Sequence, residues 1–79
     1  MRLDKFFKVS RIIKRRTVAN EVCDAKHVNV NGKPARASYD VKEGDVIEIT
    51  FGQKVTKYQV LNVTEYATKE SASSMYKEL

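Results

Sequence analysis

Tryptophan is absent from this 79-residue sequence, and cysteine, proline and histidine occur once each. A single cysteine closes no intrachain disulfide, so nothing here depends on an oxidising compartment. The one histidine, His27, has no acid or cysteine at the spacing of a metal cluster or a catalytic triad. The three glycines (Gly32, Gly44, Gly52) are isolated turn residues and build no phosphate-cradling loop. No apolar run approaches the roughly 20 residues needed to cross a bilayer. Met1–Val9 alternates charged and apolar residues, unlike a cleavable signal. These absences predict a soluble, cytoplasmic, monomeric protein with no membrane association, no metal, no cofactor and no enzymatic activity.

What is abundant is positive charge, and it is unevenly placed. The formal net charge is +5, yet Met1–Arg36 carries ten Lys/Arg against three acids, while Ala37–Leu79 carries five against seven. A chain with one basic and one mildly acidic half points its basic half at a polyanion. The densest part is SRIIKRRT, where Arg11, Lys14, Arg15 and Arg16 crowd around Ile12 and Ile13. Two isoleucines directed into a core force the neighbouring cations outward onto one surface. Arginine suits phosphate, because its planar fork meets two oxygens at once. The apolar residues of this stretch are needed for the core, which argues against a membrane-surface helix. Few aromatics are left for a single-strand stacking platform, so backbone and shape recognition of structured RNA fits better.

Periodicity places these cations on a small α+β frame. Leu3, Phe6 and Phe7 form a helical stripe within Arg2–Val9. Ser10 breaks that helix. Thr17 is the expected N-cap of a second helix running from Val18 to about Ala25, with Val18, Ala19, Val22, Cys23 and Ala25 on its apolar side. Arg15 and Arg16 then stand just before a helix N-terminus, a place that favours anions. Val28–Val30 alternates as a strand, and Asn31-Gly32 is the preferred pair for a type I′ turn. Pro34 demands an edge position on the returning strand. Val46–Phe51 is a strand with Ile47, Ile49 and Phe51 on one face, and Val55–Val63 is expected as the last strand. Hairpin-length connections make the sheet antiparallel. Lys26, Lys33 and Arg36 flank the first hairpin and are expected to extend the basic patch. After Thr64, Ala67, Met75, Tyr76 and Leu79 fit one side of a short helix, with a frayed tail as the alternative.

RLDKFFKVSR, KRRTVANEVCDAKHV, NVNGKPA and KEGDVIEI, in that order, resemble the S4 domain, an RNA-binding module. The resemblance covers Met1 to Phe51. It implies the S4-like (alpha-L) fold, with two N-terminal helices packed on a small bent antiparallel sheet and a short C-terminal helix. The chain divides accordingly into an S4 domain at 1–63 and a tail or short helix at 64–79. The length and the KVSRIIKRRT start are similar to the stand-alone S4 proteins of ribosome-associated quality control. That likeness implies binding to rRNA and peptidyl-tRNA on obstructed large ribosomal subunits, in support of alanine tailing by a partner factor. It carries over Arg2, Lys8, Arg11, Lys14, Arg15, Arg16, His27, Asn29 and Lys33 as RNA contacts. Two alternatives stand beside it. One is rescue or recycling of aborted large subunits, as implied by the heat-shock relatives. The other is a protein-interaction adaptor with a basic face.

Overall fold

A computed structural model describes residues 1–79. Helix α1 spans Leu3–Val9 and helix α2 Arg16–Asp24. Strands β1 (Val28–Val30), β2 (Lys33–Pro34), β3 (Val46–Phe51) and β4 (Lys54–Val60) follow. A one-turn helix α3 (Lys69–Ala72) and strand β5 (Tyr76–Glu78) complete the chain. All pairings are antiparallel, in the order β2-β1-β3-β4-β5. The architecture is the α+β one expected, with two helices at the front and a small antiparallel sheet.

The predicted stripe makes the core. Leu3, Phe6 and Phe7 are wholly buried and meet Ala19, Val22 and Cys23 of α2 together with Val28, Val30, Ile47 and Ile49 of the sheet. Register explains which strand residues take part. Val28 faces Ile49 and Val30 faces Ile47, so one face of β1 and β3 is apolar. Each such side chain contributes about 1.5–3 kcal/mol when fully removed from water. The Asn31-Gly32 turn has φ values of 53° and 82°, the left-handed pair that a type I′ hairpin requires. Pro34 lies on the edge strand, where its missing N–H costs no ladder bond.

Three local expectations need correction, and Phe51, though on the expected face, is not buried. Helix α2 begins at Arg16 with Arg15 as its N-cap, and no side chain caps it. Thr17 is therefore inside the first turn, exposed, and its side chain makes no capping hydrogen bond. Val18 and Ala25 are exposed, so the buried side of α2 is the narrower set Ala19, Val22 and Cys23. Phe51 shares the face of Ile47 and Ile49 but runs past the end of β1, where nothing covers it, and is half exposed. The largest difference lies at the C-terminus. Strand β4 stops at Val60, and the helix is only Lys69–Ala72, capped reciprocally by Thr68 and Ser71. Tyr76 belongs to β5, paired with Val60, and Met75 is fully buried beneath it.

The N-terminus is tied to the loop before β3. The amides of Leu3 and Asp4 donate to the carbonyls of Tyr39 and Ala37 at 2.8 and 3.2 Å. The terminal ammonium meets Asp40 at 2.6 Å. The first-turn donors of α1 are thus largely satisfied within the fold, unlike those of α2.

Candidate nucleic-acid interface

Four local structures bring the cations together. Lys5 and Lys8 are three residues apart on α1 and share one face. The chain then reverses. Buried Ser10 donates its hydroxyl to the Phe7 carbonyl and accepts from the Ile12 amide. Arg11 follows with φ 64°, a left-handed conformation that disfavours any side chain. Ile13, 8% exposed, anchors the loop in the core. Lys14 and Arg16, just after that anchor, are left exposed.

The result is a groove of about 470 Å³. One wall carries Lys5, Lys8, Arg11, Lys14 and Arg16, with Val9 between them. The other wall is Glu65, Tyr66 and Ala67, from the segment after β4. Lys5 Nζ lies 3.7 Å from Glu65 Oε1, linking the two walls. A second, shallower groove adjoins the first through Arg16 and is lined by Arg2, Asp4, Arg16, Thr17, Asn20 and Glu21.

Asp4 holds the junction between the two grooves. Its carboxylate is 2% exposed and accepts from Arg2 Nε at 3.2 Å, Arg16 Nε at 3.3 Å, Asn20 Nδ2 at 3.4 Å and the Lys5 amide at 2.8 Å. Burial opposes its ionisation, but the hydrogen bonds from Arg2 and Arg16, the Lys5 amide and the charge of Arg16 outweigh it. The carboxyl is held below the usual range. It therefore stays charged and keeps both guanidinium groups in place. Arg2 and Arg16 remain about half exposed, at 52% and 47%, so each has nitrogen atoms to offer outward. Ions held by a buried partner lose less side-chain freedom when they meet a phosphate.

Arg15, the N-cap of α2, is exposed at the rim and lines neither groove. The first turn of α2 has no acid and no side-chain cap, so the positive end of the helix faces the same side as Lys14, Arg15 and Arg16. His27, Asn29 and Lys33 stand apart from this cluster. His27 is exposed, with its amide bonded to the Val22 carbonyl and its carbonyl accepting from Thr50. Asn29 sits within β1 between Pro34 and Glu48, and Lys33 lies on the edge strand. None of the three lines either groove, and neither do Lys26 and Arg36. Cys23 is buried, and burial, with the charges of Asp4 and Asp24, pushes its thiol up to about 11. It is a packed thiol held protonated.

Sequence reasoning missed Asp4, Lys5, Asn20 and the 65–67 wall. Asp4 had one visible signal, an acid next to core residue Leu3 and two before Phe6 in a segment otherwise basic. The wall had none, since its place depends on long-range contacts, of Glu65 with Lys5 and of Ala67 with the core.

Residues 1–47 match the S4 domain family. The RQC P-site tRNA stabilizing factor of Halalkalibacterium halodurans is 55% identical over 76 residues, spanning 96% of this chain and 86% of that protein. The Bacillus subtilis protein of the same name is 53% identical, spanning 96% and 88%. Among solved structures, heat shock protein 15 of Vibrio cholerae, described as trimeric, superposes with a TM-score of 0.89 at 25% identity, covering 100% of this chain and 81% of that one. The chain belongs to the S4 domain family and, within it, to the family of the RQC P-site tRNA stabilizing factors.

Proposed function

We propose that this chain is a non-catalytic RNA-binding factor of ribosome-associated quality control. It binds rRNA and peptidyl-tRNA on obstructed large ribosomal subunits in the cytoplasm. There it keeps the tRNA positioned while a partner factor adds alanine residues to the stalled chain. The observation that carries the reading is the convergence of Lys5, Lys8, Arg11, Lys14 and Arg16 on one groove, with Arg16 fixed by buried Asp4. Phosphate contacts position an RNA without reading its bases, which suits a clamp on structured RNA. Arg2, Lys8, Arg11, Lys14, Arg15 and Arg16 make those contacts. The name shared by the relatives, which refers to a P-site tRNA, supports the tRNA half of the reading.

The test is a stalled reporter in cells whose own copy of the gene is deleted. Alanine tails disappear, wild-type protein restores them, and the Lys8→Glu/Lys14→Glu double variant does not. Undiminished tails in the deletion strain contradict the reading. They favour rescue of aborted large subunits without tail synthesis, a second reading in keeping with the likeness of the whole of this chain to heat shock protein 15. That reading ranks second because the identity is 25% there against 55% for the quality-control relative.

A further inference from the structure

The wall of the groove opposite the cations has no task in a reading based on phosphates alone. Tyr66 stands on it 88% exposed. The fold uses nearly every other aromatic ring. Phe6 and Phe7 fill the core, Tyr58 and Tyr76 pack edge to face with centroids 5.3 Å apart, and Tyr39 donates its hydroxyl to Asp45. Phe51 lies at the β3–β4 hairpin, away from the groove. Tyr66 is nevertheless held locally. The Thr64 hydroxyl donates to the Tyr66 carbonyl at 3.1 Å, Glu65 is paired with Lys5, and Ala67 packs against the core.

We infer that the groove is a site for one unpaired nucleotide, whose base stacks on Tyr66 while its flanking phosphates lie on Lys8, Arg11, Lys14 and Arg16. The inference rests on the RNA-binding reading above and adds what part of the RNA enters the groove. Charge sets the direction of entry. Glu65 beside Tyr66 repels phosphate, and the cations attract it, so the base meets the tyrosine wall and the backbone the basic wall. A groove of about 470 Å³ is large enough to take one nucleotide. Every base offers a π-face, so stacking selects for an unpaired base without selecting its identity.

The test uses the full chain and three fluorescent RNA hairpins of equal length and charge. One has an uninterrupted stem, one a single bulged nucleotide, and one an abasic residue at the bulge. Dissociation constants are measured by anisotropy at fixed salt. Wild type is expected to prefer the bulged hairpin over the other two by about tenfold. Tyr66→Ala abolishes the preference, and Tyr66→Phe keeps it. Equal binding of the bulged and abasic hairpins, or a preference that survives Tyr66→Ala, overturns the inference and leaves the phosphate groove standing. Failure to bind any of the hairpins overturns both.

Discussion

Arg16 Nε lies 3.3 Å from Oδ2 of Asp4, joining the first turn of α2 to the first turn of α1 across twelve residues of chain. Asp4 subtracts one unit of charge from the basic surface, yet it decides where two of that surface's guanidinium groups sit. Replacing it separates charge from geometry. Asp4→Asn makes the chain one unit more positive, so charge alone predicts tighter RNA binding. Positioning by Asp4 predicts weaker binding, with stability lower by about 1–3 kcal/mol because two cations lose a buried acceptor. Anisotropy titration of the variant and a chemical denaturation curve decide between the two.

The same carboxylate gives the fold a pH dependence of known sign. Its folded pKa is depressed, so its contribution is complete above the unfolded value of about 3.9 and is lost as pH falls through the folded value. Asp40, lowered by its hydrogen bond to the terminal ammonium and by that charge, acts in the same direction. Unfolding free energy is therefore expected to fall below pH 4, and Asp4→Asn to flatten that fall while keeping the part due to Asp40. Parallel acid profiles for the two proteins would contradict the assignment.

Two cations occupy left-handed positions where glycine is preferred. Lys26, at φ 62°, follows α2 with its amide bonded to the Cys23 carbonyl and the next amide, of His27, bonded to Val22. This is a Schellman ending, in which a side chain is a cost. Lys26→Gly is expected to stabilise the protein by about 0.5–1 kcal/mol, raising Tm by about 2–8 °C, with RNA affinity nearly unchanged. Arg11→Gly relieves the same kind of strain at φ 64° but empties a place on the groove. It is expected to gain stability and lose affinity. The contrast, read by calorimetry and anisotropy on both variants, distinguishes a cation held in strain for binding from one that is merely tolerated.

The C-terminal segment belongs to the folding unit. Met75 is wholly buried, and the amides of Leu61 and Asn62 both donate to its carbonyl, at 2.8 and 3.2 Å. Met75→Ala is expected to cost about 2–4 kcal/mol. Truncation after Val63 also removes β5 and bares the edge of β4, so the shortened chain is expected to aggregate or unfold at lower denaturant. An unfolding midpoint unchanged by the truncation would contradict this packing.

Much of this was legible in the sequence, for identifiable reasons. The Leu3, Phe6, Phe7 stripe and the alternation of Val28, Val30, Ile47 and Ile49 are local signals, and each of those residues is buried. Asn31-Gly32 demands its turn chemically, and the turn is there. The cations Lys8, Arg11, Lys14 and Arg16 could be read as one surface because Ile13 between them had to point inward. What was illegible is long-range. Tyr76 reads as part of a helical face with Met75 and Leu79, and only pairing with Val60 makes it a strand residue. Tyr66 comes to the groove through its neighbours, Glu65 paired with Lys5 and Ala67 packed on the core. Asp4 looks like a solvated acid until Arg16 and Asn20 of α2 are packed against it. His27, beside β1, Asn29 on β1 and Lys33 on β2 line neither groove.

The central claim is that the Lys8–Arg16 surface carries this protein to RNA on the large ribosomal subunit. Sedimentation of tagged protein through a sucrose gradient, with wild type beside Arg11→Ala and Arg16→Ala, tests it most directly. Wild type is expected to co-migrate with free large subunits and to be released as salt rises, and both variants to lose co-migration. Wild type remaining at the top of the gradient, or variants that co-migrate as wild type does, would contradict it.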